Sequence, residues 1–301
     1  MPLLTEVALR PYGPADESAA LDLINADRLP GQPRATAAML AEALVGRSRA
    51  DIDWWAELDA PRTDVATGPG GEVLGIVSYA LRRQDDTGLI LWAHCHENPL
   101  VARALIDHAT SAFTPRAVDA FHLTSALTLG LEALPVGHRP ATRTALERSG
   151  FVGERRWRYL RRGLPAPELP RADGVTVGPG TDDDPFSRYL IAREAGAVTA
   201  EALIGTWDGC GALWWIGVEE YARARGLGRR LLGSALETLG DLGATQVILL
   251  LDDADEATAQ EVQDRTAAGA LYDRAGFAEI DLLHAYTRPA TRTPAGLAPT
   301  S

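Results

Sequence analysis

Lysine is absent from this sequence of 301 residues, so all 29 basic side chains are arginine. That absence points to a compositional bias in the coding DNA more than to a function. Cysteine is nearly absent. Cys95 and Cys210 lie far apart and read as two free, partly buried thiols in a reducing cytoplasm. No run of 18 apolar residues occurs, so a transmembrane helix and a membrane partner are not expected. The N-terminus, "MPLLTEVALRPYGPADESAALDL", lacks a basic region followed by an apolar core and is not a secretory signal. A basic footprint for nucleic acid is missing as well. The net charge is −12 and lies unevenly: 18 Arg against 20 Asp+Glu in residues 1–165 (net −2), 11 against 21 in residues 166–301 (net −10). An acidic half favours a cationic small molecule by its field, and it serves solubility equally well.

What is present is a duplication. "RRGLPAPELPRADG" (161–174) reads as a linker, rich in Pro and charge. The halves on either side align at an offset of 126 residues. "GEVLGIVSYAL" falls on "AVTAEALIGTW", "VARALIDHATSAF" on "LGRRLLGSALETL", "AVDAFHLT" on "GATQVILL", and "LERSGF" on "YDRAGF". Each half reads as strand, strand ("LILWAHC", "ALWWIGV"), amphipathic helix, buried strand and a helix ending in Gly-Phe. Gly150 and Gly276 stand where a left-handed helix cap is expected. The first strands, "VALRP" and "VTVGP", align at an offset of 168, so the second half is 168 − 126 = 42 residues shorter before its central hairpin. The first half fills that length with two plausible helices, "ADESAALDLINADRL" and "RATAAMLAEALVGR", and the Trp54-Trp55 segment.

"EYARARGLGRRLL" (220–232) lies between a strand and a helix. A helix N-terminus leaves about four N–H groups without intrahelical partners, and the helix dipole adds positive charge there. Glycines let the backbone approach an anion. R-x-x-G-x-G at this position reads either as a pyrophosphate cradle or as a plain glycine turn. A Rossmann dinucleotide loop fits worse, because the motif comes late and is one glycine short.

With "WWIGVEEYARARGLGRRLLGSAL" followed about 40 residues later by "AAGALYDRAGF", the sequence resembles the GCN5-related N-acetyltransferase (GNAT) family over roughly residues 197–289. The resemblance implies an α/β fold of two tandem GNAT-like domains. Each would be a mixed, mostly antiparallel twisted sheet flanked by helices, with a splayed parallel strand pair at the CoA site. The implied division is residues 1–162, a degenerate domain without a cofactor loop; 163–173, a linker; 174–290, the catalytic domain; and 291–301, a flexible tail. The implied activity is transfer of an acetyl group from acetyl-CoA, as co-substrate without a metal, to a small and cationic amine by direct attack in a ternary complex.

Residue by residue, the resemblance places Arg223, Gly226 and Gly228 at the family's signature positions. The backbone of Arg225, Gly226, Leu227, Gly228 and Arg229 would hold the phosphates. The main chain of Ile216, Gly217 and Val218 would pair with the pantetheine arm. Tyr272 would protonate the departing thiolate, against the alternative of a core aromatic. For the proton of the attacking amine, Asp208 and Glu201 are candidates beside a water chain; Glu219 and Glu220 read as surface residues. At the same offset Arg223 becomes Glu97, Gly226 becomes Leu100, Gly228 becomes Ala102 and Tyr272 becomes Leu146. The first half therefore reads as a copy that has lost the coenzyme.

Several features depart from the pattern or lie outside it. Arg265 stands where the family often has Asn, and "DDADEATAQE" lengthens the loop after "VILLL". His94 and His96 in "AHCHENP" form a possible metal pair on one strand face, against ordinary strand packing. Trp207, Trp214 and Trp215 could stack on an acceptor or be plain core. The helices that usually build the acceptor pocket are missing from the second half, which leaves closure to the first half, to a second subunit as in a homodimer, or to neither. A coenzyme-binding module without turnover, and a conjugating enzyme resembling mycothiol synthase, are the alternative functions.

Overall fold

The structure, a computed structural model, describes residues 7–48, 52–128, 132–181, 184–253 and 259–291. The tail expected from 291 onward and the middle of the acidic stretch lie outside those residues, apart from Thr291 itself. The strands are β1 (Ala8–Pro11), β2 (Arg62–Thr67), β3 (Val73–Arg82), β4 (Thr87–His94), β5 (Val118–Ala120), β6 (Leu134–Pro135), β7 (Val152–Gly163), β8 (Thr176–Thr181), β9 (Asp184–Glu194), β10 (Ala197–Trp207), β11 (Cys210–Val218), β12 (Gln246–Asp252) and β13 (Ala278–Arg288). The helices are α1 (Glu17–Ala26), α2 (Ala37–Leu44), α3 (Ile52–Ala56), α4 (Pro99–Ser111), α5 (Pro140–Arg148), α6 (Leu227–Asp241) and α7 (Ala259–Arg274). Among the described residues no helix is long and apolar enough to cross a membrane.

The chain sorts into two units, and neither is contiguous. Unit 1 holds residues up to Arg28, Ala35–Arg155 and Leu283 onward; unit 2 holds Leu29–Arg34 and Arg156–Leu282. A cut at residue 162 is therefore not how the chain divides. In unit 1, β1 to β4 form an antiparallel meander, and β5 joins β4 in parallel. The strand that closes this sheet comes from the end of the chain: Tyr286 to Arg288 of β13 pair with Val118 to Ala120 of β5. In unit 2, β8 to β11 form the matching meander, and β12 joins β11 in parallel. Its closing strand is β7, paired along the whole of β12 from Gln246–Gly163 to Asp252–Trp157. β7 and β13 are equivalent strands of the duplication, each following a Gly-Phe helix end, and they are exchanged. The caps are as the sequence implies: Gly150 and Gly276 take φ of +86° and +78°.

The expected linker is not free. Leu169 is buried in the unit 2 core, the Ala172 N–H donates to Ser234 Oγ at 3.0 Å, and Pro170 lies against Gly233. Gly233 has no room for a side chain, because a Cβ there would sit 2.2 Å from the Pro170 carbonyl oxygen. The segment is a strap across α6. Its polar sequence hides this role because its one buried side chain, Leu169, is joined only by the partly buried Leu164, Ala166 and Ala172.

All the helices of unit 2 lie on one side of its sheet. Leu231, Leu232, Ala235, Leu236 and Leu239 of α6 pack with Ala200, Ala202, Ile204, Leu213 and Val247, and Tyr272 and Ala275 of α7 join the same core. In unit 1, α1 packs on β3 and α4 on β2, β3 and β4. Among the described residues unit 2 has no counterpart of α1 or α2, so strands β9 to β11 carry a helix-free face. Over β7 and β12 that face is covered by the Leu29–Arg34 loop: the Tyr159 hydroxyl donates to the Pro30 carbonyl at 3.0 Å, and Gly31 lies against Ile248 and Arg161.

Candidate active site

β11 and β12 pair only from Cys210–Gln246 to Leu213–Leu249. Beyond that point β11 follows β10 to Val218 and β12 follows β7 to Asp252, so their facing edges separate into a notch. The cause is a bulge. β11 carries one extra residue, Trp214, between the pairs Leu203–Trp215 and Ile204–Leu213. Bulges bend a strand and end its pairing locally. Ile216 and Val218 send their side chains to the core, which leaves main chain along the open edge.

The mouth of the notch is the loop from Glu219 to Gly226. Ala224 and Gly226 both take left-handed angles, φ +61° and +72°. Such residues turn neighbouring N–H groups toward a common concavity. Arg230 N donates to Gly226 O at 3.2 Å, the first bond of α6. Among the described residues, the main-chain N–H groups of 224–229 have no acceptor in the protein. Leu227 anchors the turn by burying its side chain. A Cβ on Gly226 would meet nothing within 4 Å, so glycine is needed there for its angle and not for space.

The arginines behave differently from one another. The Arg223 guanidinium donates to Val218 O and to Asp264 Oδ1, each at 3.2 Å, and so pins the loop to α7. Arg225 pairs with Glu194 at 2.8 Å. Arg229 is exposed on the first turn of α6. Arg223 and Arg225 thus brace the loop, and the anion-binding capacity lies in the main chain.

Tyr272 is buried on α7, with its ring edge-on to Phe277 at 5.6 Å. Burial pushes its phenol up to about 12, so it holds its proton at any physiological pH. Among the described residues its hydroxyl has no hydrogen-bond partner. Glu201 lies on β10 directly opposite Gly217, beside the part of β11 that has left β12. Asp208 does not. It forms the β10–β11 hairpin turn with Gly209, at φ +48° and +72°. The turn is at the other end of β11 from the loop, roughly 26 Å away along the eight steps from Cys210 to Val218. Arg265 donates to Asp252 at 3.0 Å, so it ties α7 to the end of β12. Both cysteines are buried, and burial pushes their thiols up to about 11 (Cys95) and about 12 (Cys210).

Residues 155–277 match the model of the acetyltransferase (GNAT) family. The chain carries a GNAT domain. No curated protein matches it by sequence. Among solved structures, a tandem GNAT protein from the clavulanic acid biosynthesis pathway is similar at a TM-score of 0.62 and 15% identity, covering 96% of this chain and 100% of that one. A GCN5-related N-acetyltransferase from Sphaerobacter thermophilus is similar at 0.60 and 16%, covering 95% and 98%. An acetyltransferase of the GNAT family from Colwellia psychrerythraea follows at 0.53 and 10%, covering 93% and 98%. At these identities the likeness is one of fold: two GNAT-like lobes in tandem.

Outside the GNAT domain proper, the first lobe shows why the motif is gone from it. β4 and β5 splay as β11 and β12 do, pairing only from Gly88–Val118 to Ile90–Ala120. Side chains of the protein close the β4 edge. Arg139 Nη2 donates to Ala93 O at 2.8 Å, and the Cys95 N–H donates to Asp27 Oδ2 at 3.0 Å. Glu97 stands at the position of Arg223. It pairs with Arg139 at 2.5 Å and accepts the N–H groups of Ala141 and Thr142, the first turn of α5. Arg223 pairs with Asp264 in unit 2 and Glu97 with Arg139 here, so the two equivalent positions carry opposite charges and take different partners. His94 lies against Asp27 with its imidazole pKa lowered by burial, while His96 follows the strand in an exposed position at φ +49°. The two histidines therefore do not share a strand face.

Because Arg139 is almost wholly buried, removing its partner leaves a charge without compensation. Glu97→Gln is expected to destabilise the protein by about 3 kcal/mol, the low end for a broken buried pair, since Asp27 still lies 3.3 Å from Arg139. Urea unfolding monitored by circular dichroism checks this.

Proposed function

We propose that the protein is an acetyl-CoA-dependent N-acetyltransferase acting on a small cationic amine in a ternary complex, with the second lobe as the catalytic one. The observation that carries this reading is the row of unpartnered N–H groups at residues 224–229, set at the mouth of a splayed strand pair. A diphosphate fits such a row, because each N–H needs an acceptor and the α6 dipole adds positive charge. The β11 edge from Trp214 to Val218 offers main-chain groups to an extended pantetheine. Acetyl-CoA supplies the thioester when bound.

The chain's own part is to bind, orient and move protons. Tyr272 keeps a proton on its hydroxyl at neutral pH and gives it to the leaving sulfur. The proton lost by the amine passes to water on the helix-free face. Of the two carboxylate candidates only Glu201 lies beside the splayed part of β11, while Asp208 stands at the far end of that strand. Unit 1 keeps the scaffold, fills its own notch with Asp27, Glu97 and Arg139, and serves as a non-catalytic lobe. The Leu29–Arg34 loop, which belongs to unit 2, forms one wall beside the acceptor face.

Tyr272→Phe tests the acid assignment. Loss of a positioned general acid costs on the order of 10²-fold in kcat. The KM for acetyl-CoA should stay within about twofold, since the ring remains in the core. Release of free CoA thiol, followed with a chromogenic disulfide, measures both. Unchanged turnover would remove Tyr272 from the mechanism. The wild-type rate should show no limb from tyrosine ionisation below about pH 11, because the raised phenol pKa keeps the donor form populated up to that range.

A further inference from the structure

The helix-free face of unit 2 carries a feature that the transfer reaction does not explain. In a regular strand, Trp214 and Trp215 would point to opposite faces. The bulge puts both on the helix-free side, where they are 37% and 46% exposed. Large aromatic side chains at that exposure are costly to hold in water. Here each has a bed that fixes it. A Cβ on Gly205 would lie 2.2 Å from Trp214 Cη2, and a Cβ on Gly217 would lie 2.5 Å from Trp215 Cζ2. Two glycines thus leave the space that two indoles occupy. Gly217 pairs with Glu201, so the Trp215 indole covers the position directly opposite that carboxylate. Among the described residues Glu201 has neither an ion pair nor a hydrogen bond to its side chain, although it is half-buried. The three residues stand where β11 leaves β12.

We propose that Trp214, Trp215 and Glu201 form the acceptor platform, and that they select amines bearing a second, permanently cationic group. This rests on the N-acetyltransferase reading and deepens it. The attacking nitrogen must be neutral, so it is not the cation that the platform holds. A second ammonium, quaternary ammonium or guanidinium satisfies both partners: the indole faces by cation–π attraction and the unpaired carboxylate by charge. The second half of the chain, at net −10, draws such a ligand in. Glu201 is on this account a binding carboxylate and not the proton acceptor.

The test pairs 4-aminobutyl-trimethylammonium with its neutral isostere, 5,5-dimethylhexylamine. The full-length protein should acetylate the cation with kcat/KM on the order of 30-fold above the isostere. Trp215→Ala and Glu201→Gln should each cut that preference to a few-fold, chiefly by raising KM for the cation, and Glu201→Asp should recover part of it. Tryptophan fluorescence titrated with the cation in the presence of CoA should saturate in the wild type, and Trp215→Ala should lose the response. Both amines acetylated at equal kcat/KM, or a preference that survives both variants, overturns the platform and leaves the transferase reading standing. Saturable quenching with no acetylation of either amine leaves the platform standing and overturns the transferase reading. A shift in sedimentation on Trp215→Ala, with the preference unchanged, assigns the face to a second copy of the chain and overturns the proposal.

Discussion

Gly226→Asp is expected to weaken acetyl-CoA binding by at least about 100-fold while the protein stays folded, measured by calorimetry on the purified full chain. The two effects separate because Gly226 plays two parts. As the residue before α6 at φ +72°, it sets the turn, and its surroundings leave open space for a side chain. A non-glycine residue there costs about 1–2 kcal/mol in backbone strain, less for Asp than for most. An Asp side chain at a helix N-cap recovers about 1 kcal/mol by accepting from the first-turn N–H groups. Net stability is therefore little changed. Binding loses twice: the donors that would meet the diphosphate are taken, and a carboxylate stands among them. Gly226→Ala is the control, carrying the strain without the charge, and should weaken binding by no more than about tenfold. If Gly226→Asp binds acetyl-CoA as the wild type does, the coenzyme does not use this turn, and the functional reading falls with it.

Residues 1–165 and 166–301, expressed separately, are each expected to fail to fold as monomers and to reassemble when co-expressed. The exchanged closing strands require it. Without β7, the apolar run Val247 to Leu251 of β12 becomes an open edge facing water. Without β13, β5 loses the partner of Val118 to Ala120. Size-exclusion chromatography with circular dichroism of each fragment, and of the pair, measures this. The opposing outcome is specific. β13 follows the same Gly-Phe helix end as β7, so a fragment of residues 166–301 could fold its own last strand back onto β12. A soluble monomer of that fragment binding acetyl-CoA with full-length affinity would show that the exchange is dispensable.

Much of the site was legible from the sequence because its chemistry is local. A left-handed glycine, a helix start and free amides all fall within 224–230, so turn chemistry and the helix period were enough to find them. Gly150 and Gly276 were legible as caps for the same reason. The strand β9 was not read, because "RYLIARE" mixes charged and apolar residues without clean alternation. The place of Asp208 at the far end of β11 was not legible, because proximity in sequence to the central hairpin does not say at which end of the strand a residue stands.

The duplication, the order of elements in each half, the loss of the anion turn from the first half and the missing helices of the second are written in the residues themselves. Only the tertiary structure decided which closing strand each sheet takes, because β7 and β13 carry interchangeable patterns and the choice depends on how the chain is routed. It decided that Glu97 is a brace within a filled notch, a fact that needs Asp27 and Arg139 brought from distant positions to one strand edge. It decided, too, that Trp214 and Trp215 face solvent together. One extra residue in β11 reverses the alternation that a strand otherwise imposes, and that insertion is visible only against the register of β10.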